Sequence, residues 1–320
     1  MTKALFGIAL SATLLVLAGE PACAQIVRTF VSGHGLDSNA CTVAAPCRTF
    51  QHAHDTVGAG GEVVALDAAG YGSITINKSV TITAIGIEAS ITSSNTNPNG
   101  IVINAGSTDV VAIRGLTILS GTNTGDGIAV ESAQTVTIQD CVIRGFPLDG
   151  IGVGPSGNAN VELRGVSADN NAQNGLNITP VGSGTVTVVA TDSYFSGNTR
   201  GVLVSGQNST GKIKVTLSVT SSSNGNGISV VSNTGTAQPL VLVTGSKLAH
   251  NTGFGLFGGN GNGGAQVFVD QTQIFRKWQH GLVGDRPRRG KQLQEQCRQR
   301  QRERQPQWGG PDQPPIAPVV

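Results

Sequence analysis

Seven glycines, at positions 100, 127, 150, 175, 201, 227 and 255, recur every 23 to 28 residues, and each opens a short alternating apolar segment. A fixed period of this length marks a solenoid, in which one small unit repeats and buries its apolar face only against its neighbours. Segments such as Gly100-Ile-Val-Ile, Gly127-Ile-Ala-Val and Gly175-Leu-Asn-Ile are too short for helices and alternate as strands do. A second series keeps the same rhythm through the expected inward pairs Val111/Ile113, Val136/Ile138, Val161/Leu163, Val186/Val188, Ile213/Val215, Val241/Val243 and Val267/Val269. A third and weaker series passes through Leu116/Ile118, Cys141/Ile143, Val166/Ala168, Ser193/Phe195, Ser246/Leu248 and Thr272/Ile274. At roughly 3.3 Å per strand residue, a coil of about 26 residues holds three short strands and three turns. Asparagine or aspartate precedes the repeat glycine at Asn99, Asp126, Asp149, Asn174 and Asn226, where a positive-φ turn is expected.

On these repeats the chain resembles the right-handed parallel β-helix superfamily, the pectin-lyase-like fold, and more closely the secreted bacterial β-helix repeat proteins, over residues 28–274. The resemblance implies an all-β right-handed parallel β-helix. It implies little about activity, because the same coil carries lyases, hydrolases, epimerases, adhesins and inert shafts.

Four segments follow. Residues 1–24 carry one lysine, an apolar stretch and the small residues Ala22-Cys23-Ala24, which is the grammar of a secretory signal peptide cleaved before Gln25. Glu20-Pro21-Ala22 before Cys23 argues against lipidation. Residues 25–61 form an N-terminal cap, in which Phe50, Ala53 and Val57 stand at helical spacing and a glycine run from Gly58 ends the helix. Residues 62–274 are the helix of coils. In residues 275–320 the glycine rhythm gives way to Arg, Gln and Pro, read either as a disordered basic tail or as the product of a frameshift near residue 275, since one-base-shifted codons there restore Ser-Gly-Asn-Gly-Asn turns.

Charge narrows the partners. Residues 275–320 hold 10 Lys/Arg against 4 Asp/Glu, whereas residues 25–274 hold 10 against 14. The folded part is therefore acidic, and nucleic acid is not an expected partner. No stretch of the mature chain reaches the ~18 apolar residues of a membrane span. Cys41 and Cys47, in Asn39-Ala-Cys-Thr-Val-Ala-Ala-Pro-Cys, read as a disulfide in an exported chain, with a metal site as the poorer alternative because no second cysteine pair follows. Cys141, on an inward strand position, reads as a small buried hydrophobe rather than a nucleophile.

Enzymes of the resembling fold place acidic residues on one strand face and its turns: lyases hold calcium with carboxylates and take a proton with a basic group, and hydrolases use a carboxylate pair. The expected outward residues are Val102, Ala129, Gly152, Asn177, Leu203, Ser229 and Phe257 on the first strand, and Ala112, Thr137, Glu162, Thr187, Lys214, Leu242 and Phe268 on the second. Neither assembles a charge cluster. The one candidate catalytic set is Asp126 and Asp149, on equivalent turns of successive coils and so about 5 Å apart, with Arg144 on the connecting turn. Its alternative is that aspartate substitutes for asparagine in a turn that accepts either, with Arg144 relieving the repulsion. Gly33-His34-Gly35 reads as loop, His52, His54 and Asp55 as non-converging residues of the cap helix, and Gly258-Gly-Asn-Gly-Asn-Gly263 as a glycine-rich turn. The resulting expectation is a secreted, non-catalytic protein that is structural or contacts a polysaccharide or cell-surface glycan. It needs no cofactor, and no oligomeric state is assigned. The alternatives are a polysaccharide lyase or glycoside hydrolase, with calcium only in the lyase case, and an adhesin or passenger module.

Overall fold

The computed structural model describes residues 26–121, 124–233, 235–260, 264–275 and 278–280. It is a parallel β-solenoid in which every paired strand runs parallel to the equivalent strand of the next coil. The first face is a nine-stranded sheet from Ile74–Ile76 to Trp278–His280. The second and third faces belong to one sheet bent on itself, because Thr185–Ser196 and Lys212–Ser222 run through the bend and pair with both sides. Inward residues alternate with outward ones, and the inward Val, Ile and Leu side chains form one continuous core. Among the described residues no helix is long and apolar enough to cross a membrane.

The inward pairs of the second face keep their predicted parity but not their predicted register. Val161 and Leu163 lie beside Val188 and Ala190, and Val215 and Leu217 beside Val241 and Val243. Two slips of two residues leave every side chain on its face, since the side-chain period of a strand is two. They change the outward column to Ala112, Thr137, Glu162, Val189, Thr216, Leu242 and Phe268. Thr187 and Lys214 fall in the neighbouring column with Asn160 and Leu240. The third face aligns as expected, from Ile118 through Ile143, Ala168 and Phe195 to Leu248 and Ile274, with Ser221 filling the coil for which the sequence offered no pair.

The turn chemistry differs from expectation. Asn99, Asp126, Asp149, Asn174 and Asn226 do not have positive φ; the left-handed non-glycine residues of the coils, among those described, are Asp140, Asp192 and Gln271 between the second and third faces, and Asn170, Ser223 and His250 after the third. Glycines 115, 165 and 245 share the first of these columns, and 145 and 197 the second. The repeat glycines serve a different need. A Cβ at Gly127 would stand 2.5 Å from the Gly150 carbonyl oxygen, and one at Gly227 would stand 2.8 Å from Asn251 Nδ2. Glycine stands there because coils meet backbone to backbone, whatever the φ.

Beside those glycines runs a buried asparagine column that the sequence reading missed. The amides of Asn171, Asn198 and Asn224 donate to the side-chain Oδ1 of Asn198, Asn224 and Asn251 at 2.9, 2.9 and 3.1 Å. The side-chain amides of Asn198, Asn224 and Asn251 also donate back to the preceding coil, to the carbonyls of Ala168 at 3.0 Å, Phe195 at 2.9 Å and Ser221 at 3.0 Å. Phe146 takes the preceding position, with its amide donating to Asn171 Oδ1 at 3.1 Å and its ring buried.

The N-terminal end is closed by helix Phe50–Thr56, capped by Thr49, whose hydroxyl accepts from the His52 amide at 3.2 Å. The Cys41–Cys47 disulfide forms beside it. At the other end, Val267 and Ile274 are only partly buried and Val269 is 42% exposed, whereas the equivalent Val241, Leu248 and Val243 are fully buried. Trp278–His280 adds one more strand, in register with Leu256 to Gly258, beyond the point where the glycine rhythm stops. Residues 1–24, expected to be a signal peptide, and residues 276–277 and 281–320 of the tail lie outside the described residues.

Two stability predictions follow from this architecture. Asn224→Ala leaves the buried Asn198 amide without an acceptor and should cost about 2–4 kcal/mol in urea unfolding; a change below about 0.5 kcal/mol would contradict the column's role. His54 is 1% exposed, with Nδ1 3.0 Å from Asp55 Oδ1 and Nε2 unpartnered. Burial lowers its pKa, opposed by the Asp55 contact and aided by the Lys78 charge. Because the folded state disfavours the imidazolium, stability is intact above the ordinary histidine range and falls as pH drops below about 6.5. His54→Met should flatten that acid limb in thermal melts recorded between pH 7.5 and 5.

Candidate functional site

Asp126 and Asp149 come together as the sequence predicts, on successive turns leading into the first face, but as members of a hydrogen-bonded column. Asn99 Oδ1 accepts from the Asp126 amide at 2.8 Å, Asp126 Oδ1 from the Asp149 amide at 2.9 Å, and Asp149 Oδ1 from the Asn174 amide at 3.0 Å. Asp149, 6% exposed, takes two further donors: Asn174 Nδ2 reaches Oδ1 at 2.7 Å and Asn177 Nδ2 reaches Oδ2 at 2.6 Å. Both of its oxygens are thus engaged by amides. Asp126 receives one such bond, and its second oxygen lies over Gly152, where a Cβ would stand 3.1 Å from it. Burial raises the Asp126 pKa to about 6, opposed by the Asp149 amide and reinforced by the Asp149 charge.

Arg144 is not part of this cluster. It ends the strand Val142–Arg144 with its side chain exposed, in register with Leu119 and Asp169 rather than on the connecting turn. Ile143 faces the core, so Arg144 points out. Among the described residues the ion pair is Arg28 with Glu62, with His54–Asp55 a second only when the imidazole is protonated, and neither aspartate of the column has one. The donor set does not fit calcium, which takes six to eight oxygen ligands, because the Asp149 oxygens already accept amide protons.

The remaining candidates resolve as follows. Cys41, Cys47 and His52 lie close enough to suggest a metal site, but the two sulfurs are bonded to each other. His54 packs inward against the stack and does not converge with His52. Gly33-His34-Gly35 belongs to a latch around Asp67, which accepts from Ser32 Oγ at 2.6 Å, the Gly33 amide at 2.8 Å and the Tyr71 hydroxyl at 2.5 Å. These bonds hold the Asp67 pKa down to about 2. Residues 261–263 of the glycine-rich turn lie outside the described residues. Of the two outward phenylalanines, Phe257 on the first face stacks on Phe254 with ring centroids 5.6 Å apart, while Phe268 stands 53% exposed beside Leu242 on the second.

A charge cluster does exist on the second face, contrary to expectation. Arg28, Glu62 and Arg114 line a groove of about 460 Å³ near the N-terminal end. Two outward columns extended back to the first coils, Arg28-Glu62-Thr81-Ala112 and the neighbouring Val64-Thr83-Arg114, would have revealed it in the sequence.

The model of a family described as "Right handed beta helix region" matches residues 73–239. No curated protein matches the sequence. A solved structure titled "Crystal structure of pectate lyase Pel9A" is similar in fold, with a TM-score of 0.53 at 15% identity over 81% of each chain.

The column's chemistry predicts a pH effect. Since the folded state holds the Asp126 proton more tightly than the unfolded chain, stability falls as pH rises from about 4 through 6. Asp126→Asn keeps the acceptor for the Asp149 amide without the buried charge. It should raise stability at pH 7.5 by about 1–2 kcal/mol and remove that limb of the pH profile; a destabilised variant would contradict the assignment.

Proposed function

We propose that this chain, which belongs to the right-handed β-helix family, is an exported, non-catalytic protein that acts as a structural or glycan-contacting element outside the cell. The observation that carries the reading is Asp149. Its two carboxylate oxygens accept three N–H donors from Asn174 and Asn177, so the best carboxylate pair in the sequence is spent on joining coils. General acid–base catalysis needs a group within reach of substrate and free to exchange its proton. The Cys41–Cys47 bridge supports an oxidising compartment, in keeping with removal of residues 1–24 as a signal peptide. The acidic folded part disfavours nucleic acid as a partner.

A polysaccharide lyase or hydrolase is the second reading. It is favoured by one observation, the Asp126 carboxyl tuned to about 6, a value suited to proton transfer near neutrality. The likeness to a pectate lyase speaks to fold alone.

Purified protein incubated with calcium and pectate or alginate should release neither unsaturated uronate absorbance nor new reducing ends. Turnover abolished by Asp126→Asn or Asp149→Asn would establish the second reading. Turnover surviving both substitutions would place an active site elsewhere and equally overturn the first.

A further inference from the structure

We propose that the groove between the Arg28–Glu62 pair and Arg114 binds a small hydroxylated carboxylate. The cavity, about 460 Å³, lies within the range of about 300–1,000 Å³ typical of small-molecule sites. Its polar walls come from neighbouring strands of the second face: Arg28 stands beside Glu62, Glu62 beside Thr81, and Arg114 beside Thr83.

The charges in the groove do not balance. Arg28 is paired, with Nε 2.8 Å and a terminal nitrogen 2.6 Å from Glu62 Oε2, while Glu62 Oε1 accepts from Thr83 Oγ1 at 3.1 Å. That leaves Arg114 as the surplus cation, with no ion pair among the described residues and its Nε buried without a hydrogen-bond partner. An unpaired guanidinium N–H shielded from water is costly. The Nε itself is shielded from the groove, but Arg114 lines it, and a carboxylate there can meet the terminal nitrogens with matching planar geometry, two oxygens facing two N–H donors. One surplus positive charge calls for a monoanion, and the Glu62 carboxylate facing the same space disfavours a dianion such as phosphate. Thr81 and Glu62 supply a hydroxyl and an acceptor for ligand hydroxyl groups. At the rim, a Cβ on Gly60 would meet open space, so the entrance is clear.

The groove lies apart from the Asp126–Asp149 column, so its test does not depend on whether the protein catalyses anything. Calorimetric titration of the full chain with gluconate and with glucuronate should show saturable 1:1 binding, at least tenfold tighter than glucose. Arg114→Gln should weaken it at least tenfold, and Arg114→Lys should restore it only in part, because an ammonium lacks the planar fork. Should Arg114→Gln fail to fold, Arg28→Gln carries the test: it frees the Glu62 charge and should weaken both acids while leaving glucose unchanged. An oligosaccharide ending in glucuronate separates the sources, since its binding identifies a glycan terminus and its exclusion a free hydroxy acid. No saturable binding of either acid, glucose binding as tight as the acids, or acid binding unchanged by the Arg114→Gln and Arg28→Gln substitutions would overturn the proposal.

Discussion

At the seam where each coil turns from its third face into its first, successive backbones approach too closely for any side chain, and the rest of the molecule is arranged around that contact. A Cβ at Gly175 would stand 2.8 Å from the Gly201 carbonyl and 2.9 Å from Asn198 Nδ2. The seam therefore takes glycine on the backbone side and a buried asparagine opposite. Asn171, Asn198, Asn224 and Asn251 each lie inside the solenoid, where a polar group without a partner is expensive. Stacking supplies the partners, since the amides of Asn171, Asn198 and Asn224 each find the next coil's Oδ1. The column works only when coils repeat in register, so the polar groups that would otherwise destabilise the core instead fix the spacing of the stack.

The same logic governs the turn that precedes the repeat glycines. Asn99, Asp126 and Asp149 each offer a side-chain oxygen to the amide of the following coil, and the run ends at Asn174, whose Oδ1 is buried without a partner. Asparagine does this without cost. Aspartate brings a charge, and the structure treats the two differently: Asp149 is surrounded by amide donors, whereas Asp126 receives one and is pushed toward its protonated form. A carboxylate pair in a solenoid turn can thus be explained by the needs of stacking before any chemistry is invoked. A cation without a charge partner in its groove lies elsewhere, at Arg114 on the second face.

The period of the fold was legible because glycine at the seam is forced by sterics, and the faces were legible because a two-residue alternation assigns inside and outside without knowing the register. For the same reason, alternation could not detect the slips between Val161 and Val188 and between Val215 and Val241, each of which preserves parity. The role of Asn and Asp before the glycines was misread because these residue types suit both a positive-φ turn and a side-chain acceptor, and only coordinates separate the two. The inner asparagine column stands in the sequence at intervals of 26 to 27 residues, but asparagine is common in turns and its spacing alone does not mark it as buried. The Arg28–Glu62–Arg114 cluster was hidden because its members are 34 and 52 residues apart and two of them, Arg28 and Glu62, stand before the glycine rhythm begins at Gly100.

The central claim is that a column of side-chain acceptors holds the turns of this solenoid together. Amide hydrogen exchange at Asn171, Asn198 and Asn224 tests it most directly, because these amides lie at turns and their acceptors are asparagine side chains of the next coil. The account predicts that all three exchange as slowly as the amides of the adjoining core strands, through the same cooperative opening. Exchange at the rate of the exposed loop at residues 42–45 would contradict it.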